Sequence, residues 1–487
     1  MWPLLACAAP GADDSAPVDP PPVDVASPAD GWYRGDLHFH TNYSDDALEQ
    51  GGDWMAGALA IADAWRAPAW QAANLDRSPD DHLQFVAVTD HRTTAGLADP
   101  DFAHPTLILL GGEEFGSDGH AGAWGITTHV PHEPQGGEGA ARRIADAIGE
   151  VHAQGGLFSV NHPLYAGDLW VWTTEGIDGM EVWNGPWAAL AEETDEATLA
   201  TRLAEAGVAG DPALAVAAAR RGAGQNAQAV RFWQGLLAQG RHVPVVGGGD
   251  RHMLLPAGLP TTYVAAAEPS AAGVLAGLEA GHTFVSRAPN GPQLVLEAVV
   301  DGQAWPMGSA LPAETRTVEV RWTAGRAAGG QVRLYAGRID PSLPEPDVLQ
   351  VAEVDGDHAS GTATWTVPEG GGWLHGVLVD PLPEPPAGAE AAAEALTTFP
   401  EDGGLEAIIG ALLPLVDTST LGDPGRCDPA AWDPAKLWCM PADAEPLGSY
   451  YVPVGLQPYF AAEFEGGVST GYAMGAVTSA FLVGGPP

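Results

Sequence analysis

The sequence predicts an α/β protein: a parallel strand–helix–strand layer from Gly31 to about Pro292, then a smaller antiparallel β-sandwich. Three observations predict it. Four-residue apolar runs such as Phe85-Val86-Ala87-Val88 alternate with Ala-rich helical stretches in the first part, the pattern of βαβ units. After about Pro292 the texture changes to alternating apolar and polar residues broken by turns, which suits a sandwich. Thirteen of the fifteen His lie between His38 and His282, many of them where an expected strand ends.

Residues 1–30 read as a leader and linker, because the run from Ala16 to Pro22 is too rich in Pro to build a core. Cys7, after Leu4-Leu5-Ala6, resembles the lipobox of bacterial lipoproteins. The residues before it supply neither a positive n-region nor a full apolar h-region. A start further upstream and a chance match both explain this. With Cys7 as a lipid anchor, the expectation is an exported cell-envelope lipoprotein or a secreted protein. A Cys427–Cys439 disulfide would suit such a compartment, with two unrelated thiols as the alternative.

Residues 31–292 form the expected α/β domain. Its strands are Phe85–Val88, Leu107–Leu110, Leu157–Val160, a run around Met180 and one ending at Val246. Its helices are Trp54–Ala67, Ala140–Gln154 and a helical insertion at about 187–240. Residues 293–380 carry five alternating runs of the sandwich. Residues 381–487 form a Pro/Ala-rich linker and an extension with a short helix near Leu405–Leu413 and a closing apolar stretch, Tyr472–Val483.

The net charge of -43, with Lys436 as the single Lys, repels a phosphate backbone and excludes a nucleic-acid polymer as partner. It leaves a small anionic substrate open, since bound cations reverse the local field. Solubility is the plain reading of the acidity. No apolar run reaches the roughly 18 residues of a membrane span.

The strand ends carry the chemistry. His38 and His40, two apart on a strand, point to one side and can grip one ion. Asp45 follows in a short loop. Further along come Thr89-Asp90-His91, then Gly111-Gly112-Glu113-Glu114 with His120 beyond, then Asn161-His162-Pro163, then Glu181-Val182-Trp183-Asn184. Asp250 and His252 repeat the two-residue spacing. Parallel barrels build active sites at this end of their strands. Packing explains any one of these His, but not ligand-type residues delivered by five or six strands in turn. The donors are nitrogen and oxygen without thiolate, which favours Zn, Mn or Fe. About nine candidates exceed one tetrahedral ion, so two or three divalent metal ions are expected, with Glu114 the best bridging carboxylate. Arg92 and Arg251 adjoin motifs and are candidate catalytic clamps for a phosphate or carboxylate. Arg287 reads as a salt bridge. His129 and His132, on the loop after Ile126-Thr127-Thr128, either support a ligand from behind or are merely exposed, and exposure is the preferred reading for both.

The order HxH, TDH, GxE, GH, NHP, EVWN and DxH resembles the PHP (polymerase and histidinol phosphatase) superfamily. Gly281–Ser286 with Asn290-Gly291-Pro292 resembles the closing motif of its carbaryl-hydrolase-like (CehA/McbA) branch. The resemblance covers roughly Gly31 to Pro292. It implies a distorted (β/α)7 barrel of seven parallel-type strands and a two- or three-metal site. The ligands implied are His38, His40, Asp45, His91, Glu114, His120, His162, Asp250 and His252. Departures are Ser44-Asp45-Asp46 where Ser-Asp-Gly is usual, Arg92 for a common Asn, and extra residues between Ser286 and Asn290. Glu113 and Glu114 both fit the GxE position within one register step. The implied function is a metal-dependent hydrolase acting through metal-bound hydroxide, first a phosphoesterase for a small phosphate ester. A carbamate, ester or amide hydrolase is the alternative, and a surface binding protein with a low-activity barrel stands as a third reading.

Overall fold

The computed structural model describes residues 24–44, 54–63, 82–132, 138–185, 188, 193–220, 224–252, 257–342, 345–381, 416–417, 438–439 and 472–484. Asp45, Cys7, Cys427 and the helix expected near Leu405–Leu413 lie outside the described residues. No helix among the described residues is long and apolar enough to cross a membrane.

Seven strands carry the first part: β1 (Trp32–Phe39), β2 (Phe85–Val88), β3 (Ile108–Phe115), β4 (Ala121–Trp124), β5 (Leu157–Val160), β6 (Gly179–Asn184) and β7 (Val245–Gly248). They neighbour one another in that order in one mixed sheet. The curl of the sheet brings β7 back to β1, where His40 N donates to Arg251 O at 3.2 Å beside a parallel Phe39–Arg251 bridge. On the other side of β1 lies β8 (Thr261–Ala265), antiparallel to it, and then β9 (Thr283–Ser286), antiparallel to β8.

The expectation of seven parallel-type strands is corrected at β4, which runs antiparallel to both β3 and β5. The cause is local. Gly116 (φ 111°) and Gly119 (φ 85°) turn the chain through the left-handed region, and a Cβ on Gly116 would lie 2.3 Å from Gly119 O. Glycine takes that geometry without steric cost, so the Gly116–His120 loop makes a hairpin where a crossover was expected.

The helical insertion is present as Glu196–Ala206, Pro212–Ala218 and Gly224–Ala238. The Asp195 side chain accepts from Thr198 N, the Asp211 side chain from Ala213 N, and Gly207 ends the first helix at φ 67°. These are ordinary caps for otherwise unsatisfied helix ends.

One sheet of the sandwich stands alone, formed by β10 (Gln293–Val300), β11 (Gln303–Pro306), β13 (Thr317–Gly325) and β16 (His358–Thr366). β12 (Ala310–Leu311), β14 (Gln331–Arg338), β15 (Asp347–Glu353) and β17 (Gly372–Pro381) instead belong to the 15-stranded sheet of the first part. After the two-residue strands β18 (Val416–Asp417) and β19 (Trp438–Cys439), the closing apolar stretch forms β20 (Tyr472–Thr478) and β21 (Phe481–Val483). β20 pairs with β9 on one side and β17 on the other, welding the two parts. Leu294, Leu296, Val320, Trp322, Leu334, Leu374 and Phe481 fill the space between the sheets.

β17 is buried on both faces because its far side meets the helix Gly224–Ala238. There His375 lies among Trp233, Tyr335 and Trp373, and Gln234 Nε2 donates to its Nε2 at 3.0 Å. Burial pushes the imidazole down from 6.5 to about 3. The unfolded chain therefore holds one more proton here between those values, so stability is full above about pH 6.5 and is lost as pH falls toward 3. We expect up to about 1.4 kcal/mol per pH unit from this group. Urea unfolding at pH 7, 6, 5 and 4 checks it, with a slope shallower by about one proton in His375→Phe; parallel slopes would refute it.

Candidate metal centre

The strand ends converge on Glu114. Its Oε1 lies 3.0 Å from His38 Nε2, 3.2 Å from His120 Nδ1 and 3.3 Å from His162 Nε2. Its Oε2 lies 3.3 Å from His40 Nε2 and 3.0 Å from His91 Nδ1. Asp250 Oδ1 lies 3.3 Å from both His38 Nε2 and His40 Nε2, and 3.4 Å from His252 Nδ1. His252 Nε2 comes within 3.3 Å of His91 Nε2. Eight of the nine implied ligands are thus brought together; Asp45 is the ninth. Three overlapping sets have the spacing to hold an ion: His38, His40, Glu114 and Asp250; His91, Glu114 and His120; and His40, His91 and His252.

Local geometry aims these groups. Alternation along β1 turns His38 and His40 inward together. His162 (φ 24°) and Asp250 (φ 45°) sit in the left-handed region, which non-glycine residues rarely take, and this strain turns both side chains off their strand ends into the cluster. Behind the cluster, Asp36 accepts from His38 N (3.0 Å), Gly249 N (2.9 Å) and Gly258 N (2.7 Å). Burial pushes its carboxyl up to about 6 against those three donors.

The cluster's charges suit a cation. Burial alone would raise the Glu114 carboxyl, but His38, His120 and His91 hold it well below the usual range. Asp250 is likewise held low against its burial, first by His38. Burial works against a charged His38, yet Asp250, Glu114 and Glu181 together raise it well above the ordinary histidine value. Both carboxylates thus stay ionised, and a divalent cation can replace the proton they draw onto His38. His40 Nε2 and Glu114 Oε2 are buried without a hydrogen bond, an arrangement that costs free energy unless something compensates it. The nitrogen and oxygen donors, and these two orphaned atoms, fit divalent metal ions.

The register question at Glu113 and Glu114 is answered by the pleat. Glu113 points to the opposite face, where it accepts from His129 Nδ1 at 2.6 Å and Val130 N at 2.8 Å. His129 is therefore more than an exposed loop residue: its partly buried ring bonds a buried carboxylate. His132 bonds Ser117 Oγ at 2.8 Å.

Arg251 is buried, donates through Nη1 to His40 O at 2.8 Å and lies 5.0 Å over the Phe39 ring. These contacts tie the segment after β7 to the end of β1. Arg92 is half-buried, and its Nη1 donates to Gly116 O at 3.2 Å. Arg287 pairs with Asp380 at 2.6 Å, as the salt-bridge reading expects.

Four residues that the motifs contain, but to which the sequence assigns no role, support the cluster. Asn161 Nδ2 donates to Glu114 Oε1 at 2.9 Å. Asn184 Nδ2 donates to Glu181 Oε2 and Asp250 Oδ2, both at 3.1 Å. Glu181 Oε1 holds His38 Nδ1 at 3.1 Å. Ser44 Oγ holds His40 Nδ1 at 2.8 Å. The signal available was their place inside the same motifs, one or three residues from a ligand.

No family model matches the chain, and no curated protein matches it. A solved structure is similar: a two-domain protein from Bacteroides vulgatus containing a predicted PHP-like metal-dependent phosphoesterase. It is 15% identical, with 72% of this chain and 91% of that one covered, at a TM-score of 0.32.

Proposed function

We propose that this chain is a metal-dependent hydrolase of the PHP type, acting on a small phosphate ester. The observation that carries the reading is a single buried carboxylate, Glu114, in contact with five histidines delivered by four separate parts of the sheet. So many ionisable groups are costly to bury for packing alone. Two or three divalent ions, when bound, lower the pKa of a water and stabilise charge on the attacked centre. The protein's own part is positional. His38, His40, Glu114 and Asp250 hold one side of the cluster, while His91, His120 and His252 hold the other. Asn161 and Asn184 fix the two central carboxylates. Arg92 supplies the rim cation that orients an anionic substrate.

The carbaryl-hydrolase-like motif does not decide between phosphorus and carbon as the attacked atom. Thr283 Oγ1 donates to Val245 O, and Val285 lies against Gly247, so this stretch packs β9 on β7.

The test is elemental analysis of protein purified without chelator, then p-nitrophenyl phosphate and naphthyl carbamate assays on Mn- and Zn-loaded protein. We expect two or more metal equivalents and phosphate release, both lost in His38→Ala and Asp250→Ala. Carbamate turnover alone would move the chain to the carbamate reading, and neither metal nor turnover would leave a binding protein. Arg92→Ala should raise KM for the phosphate ester about tenfold, the loss of one charge-assisted contact, with kcat changed by less than about threefold. An unchanged KM would remove Arg92 from substrate binding.

A further inference from the structure

The loop that follows β5 and His162 has its path set from outside. Thr194 Oγ1 donates to Leu164 O. Arg202, on the insertion helix Glu196–Ala206, donates through Nη2 to Ala166 O at 3.1 Å and to Gly167 O at 3.0 Å. The carbonyl between them, Tyr165 O, accepts from Asp168 N at 3.1 Å, and Tyr165 N donates back to His162 O at 2.9 Å. All four carbonyls from Leu164 to Gly167 are thus taken, three of them by the helical insertion, which itself carries none of the implied ligands. A backbone so fully bonded holds one conformation.

That conformation puts two side chains at the edge of the cluster. The Tyr165 ring stands edge-on to the His162 ring, with centroids 5.6 Å apart and planes at 77°. Asp168 Oδ1 comes within 3.8 Å of His120 Nε2. Gly167 leaves the tyrosine its place, since a Cβ there would lie 2.9 Å from Tyr165 Cε1. Tyr165 is half-buried, and its hydroxyl makes no hydrogen bond to a described residue yet is open to solvent. Burial first, then the charges of Asp168 and Asp250, hold the phenol above the ordinary tyrosine value. The hydroxyl therefore lies within the field of a rim carboxylate and of a central one, with a hydrogen to give.

An anchored donor, open to solvent beside a centre suited to cations, has a natural partner in an oxygen of the bound anion. We propose that Tyr165 is a substrate-contacting residue of this centre, donating its hydroxyl hydrogen to an oxygen of the phosphate ester, and that Arg202 is the positioning residue that holds it there through the loop carbonyls. The inference rests on the phosphoesterase reading. It also gives the helical insertion a task, which is to set one wall of the site while supplying no ligand.

The experiment uses the metal-loaded full-length chain and two probes: p-nitrophenyl phosphate for KM and kcat, and inorganic phosphate for direct binding by calorimetry. Tyr165→Phe should raise KM and weaken phosphate binding about tenfold, with kcat within about threefold and metal equivalents unchanged. Arg202→Met should show the same pattern, and Arg202→Lys should recover part of the loss. The double variant should be no worse than Tyr165→Phe by more than about twofold, because both changes act at one contact. If Arg202→Met fails to fold, Gly167→Ala, which crowds the tyrosine ring, takes its place in the same comparison. Unchanged KM and phosphate affinity in Tyr165→Phe, metal lost from that variant, or effects that multiply in the double variant each overturn the proposal alone. A wild type that neither binds phosphate nor cleaves the ester sinks the phosphoesterase reading, and this proposal with it.

Discussion

Glu114→Gln will hold no tightly bound metal and will lose at least about 1000-fold in turnover, while its neighbour Glu113→Gln keeps both. The contrast follows from two adjacent carboxylates on opposite faces of β3. Glu114 faces five histidine nitrogens at 3.0 to 3.3 Å. An amide there removes the charge that balances bound cations and turns an N–H2 toward at least one imidazole lone pair. Glu113 meets none of these rings and instead accepts from His129 and Val130. Its replacement should cost stability, about 2 kcal/mol for a buried charge-assisted hydrogen bond. Metal content by elemental analysis and unfolding by urea, measured on both variants, separate the roles. Metal retained in Glu114→Gln, or lost in Glu113→Gln, would show that the pleat has been assigned backwards.

The second large effect belongs to a residue without a side chain. A Cβ on Gly248 would lie 2.3 Å from His38 Cβ and 2.8 Å from His38 N. Both atoms belong to the frame of β1 rather than to the end of a flexible side chain, so the strand itself must move. Gly248→Ala should therefore destabilise the fold by about 3 kcal/mol, the upper range for overpacking. A shift of His38 by about 1 Å would also cost turnover roughly 100-fold. Gly149 is the control. It lies in the helix Glu138–Ala153, and a Cβ added there would meet nothing within 4 Å, so Gly149→Ala should stabilise by about 0.5 to 1 kcal/mol. Opposite signs for the two variants in urea melts support the argument, and a neutral Gly248→Ala would refute it.

Much of the architecture was legible along the chain. Phe85–Val88 and Leu157–Val160 are strands at the bounds expected from their apolar runs. The alternating run from Thr317 appears as β13, with inward Val318, Val320 and Trp322 buried. The antiparallel β4 was missed because Ala121–Trp124 is short and has no alternation, yet Gly116-Ser117-Asp118-Gly119 before it is a hairpin turn by composition. The joining of the sandwich's second sheet to the first part was missed for another reason. Nothing local to Tyr472–Val483 says that it will lie between β9 and β17, strands more than 90 residues away.

The site divides in the same way. Its residue types and order follow from sequence alone, and a two-residue spacing at the end of β1 puts His38 beside His40. The choice between Glu113 and Glu114 does not, since a one-residue slip reverses every side chain of a strand and both registers place a carboxylate at its end. Proximity in sequence to a ligand says nothing about the direction of Arg251, which the fold sets toward His40 O and the Phe39 ring.

By itself, then, the sequence determined the strand and helix periods, the change of texture near Pro292 and a nitrogen–oxygen donor set carried at strand ends. The tertiary structure decided which carboxylate sits at the centre, which histidine nitrogen faces it and which residues hold the rings in place. The physical reason is range. Periodicity and backbone preference act over a few residues, whereas Glu181 meets His38 across 143 residues and Asp250 meets it across more than 200, contacts that exist only once the sheet has curled and packed.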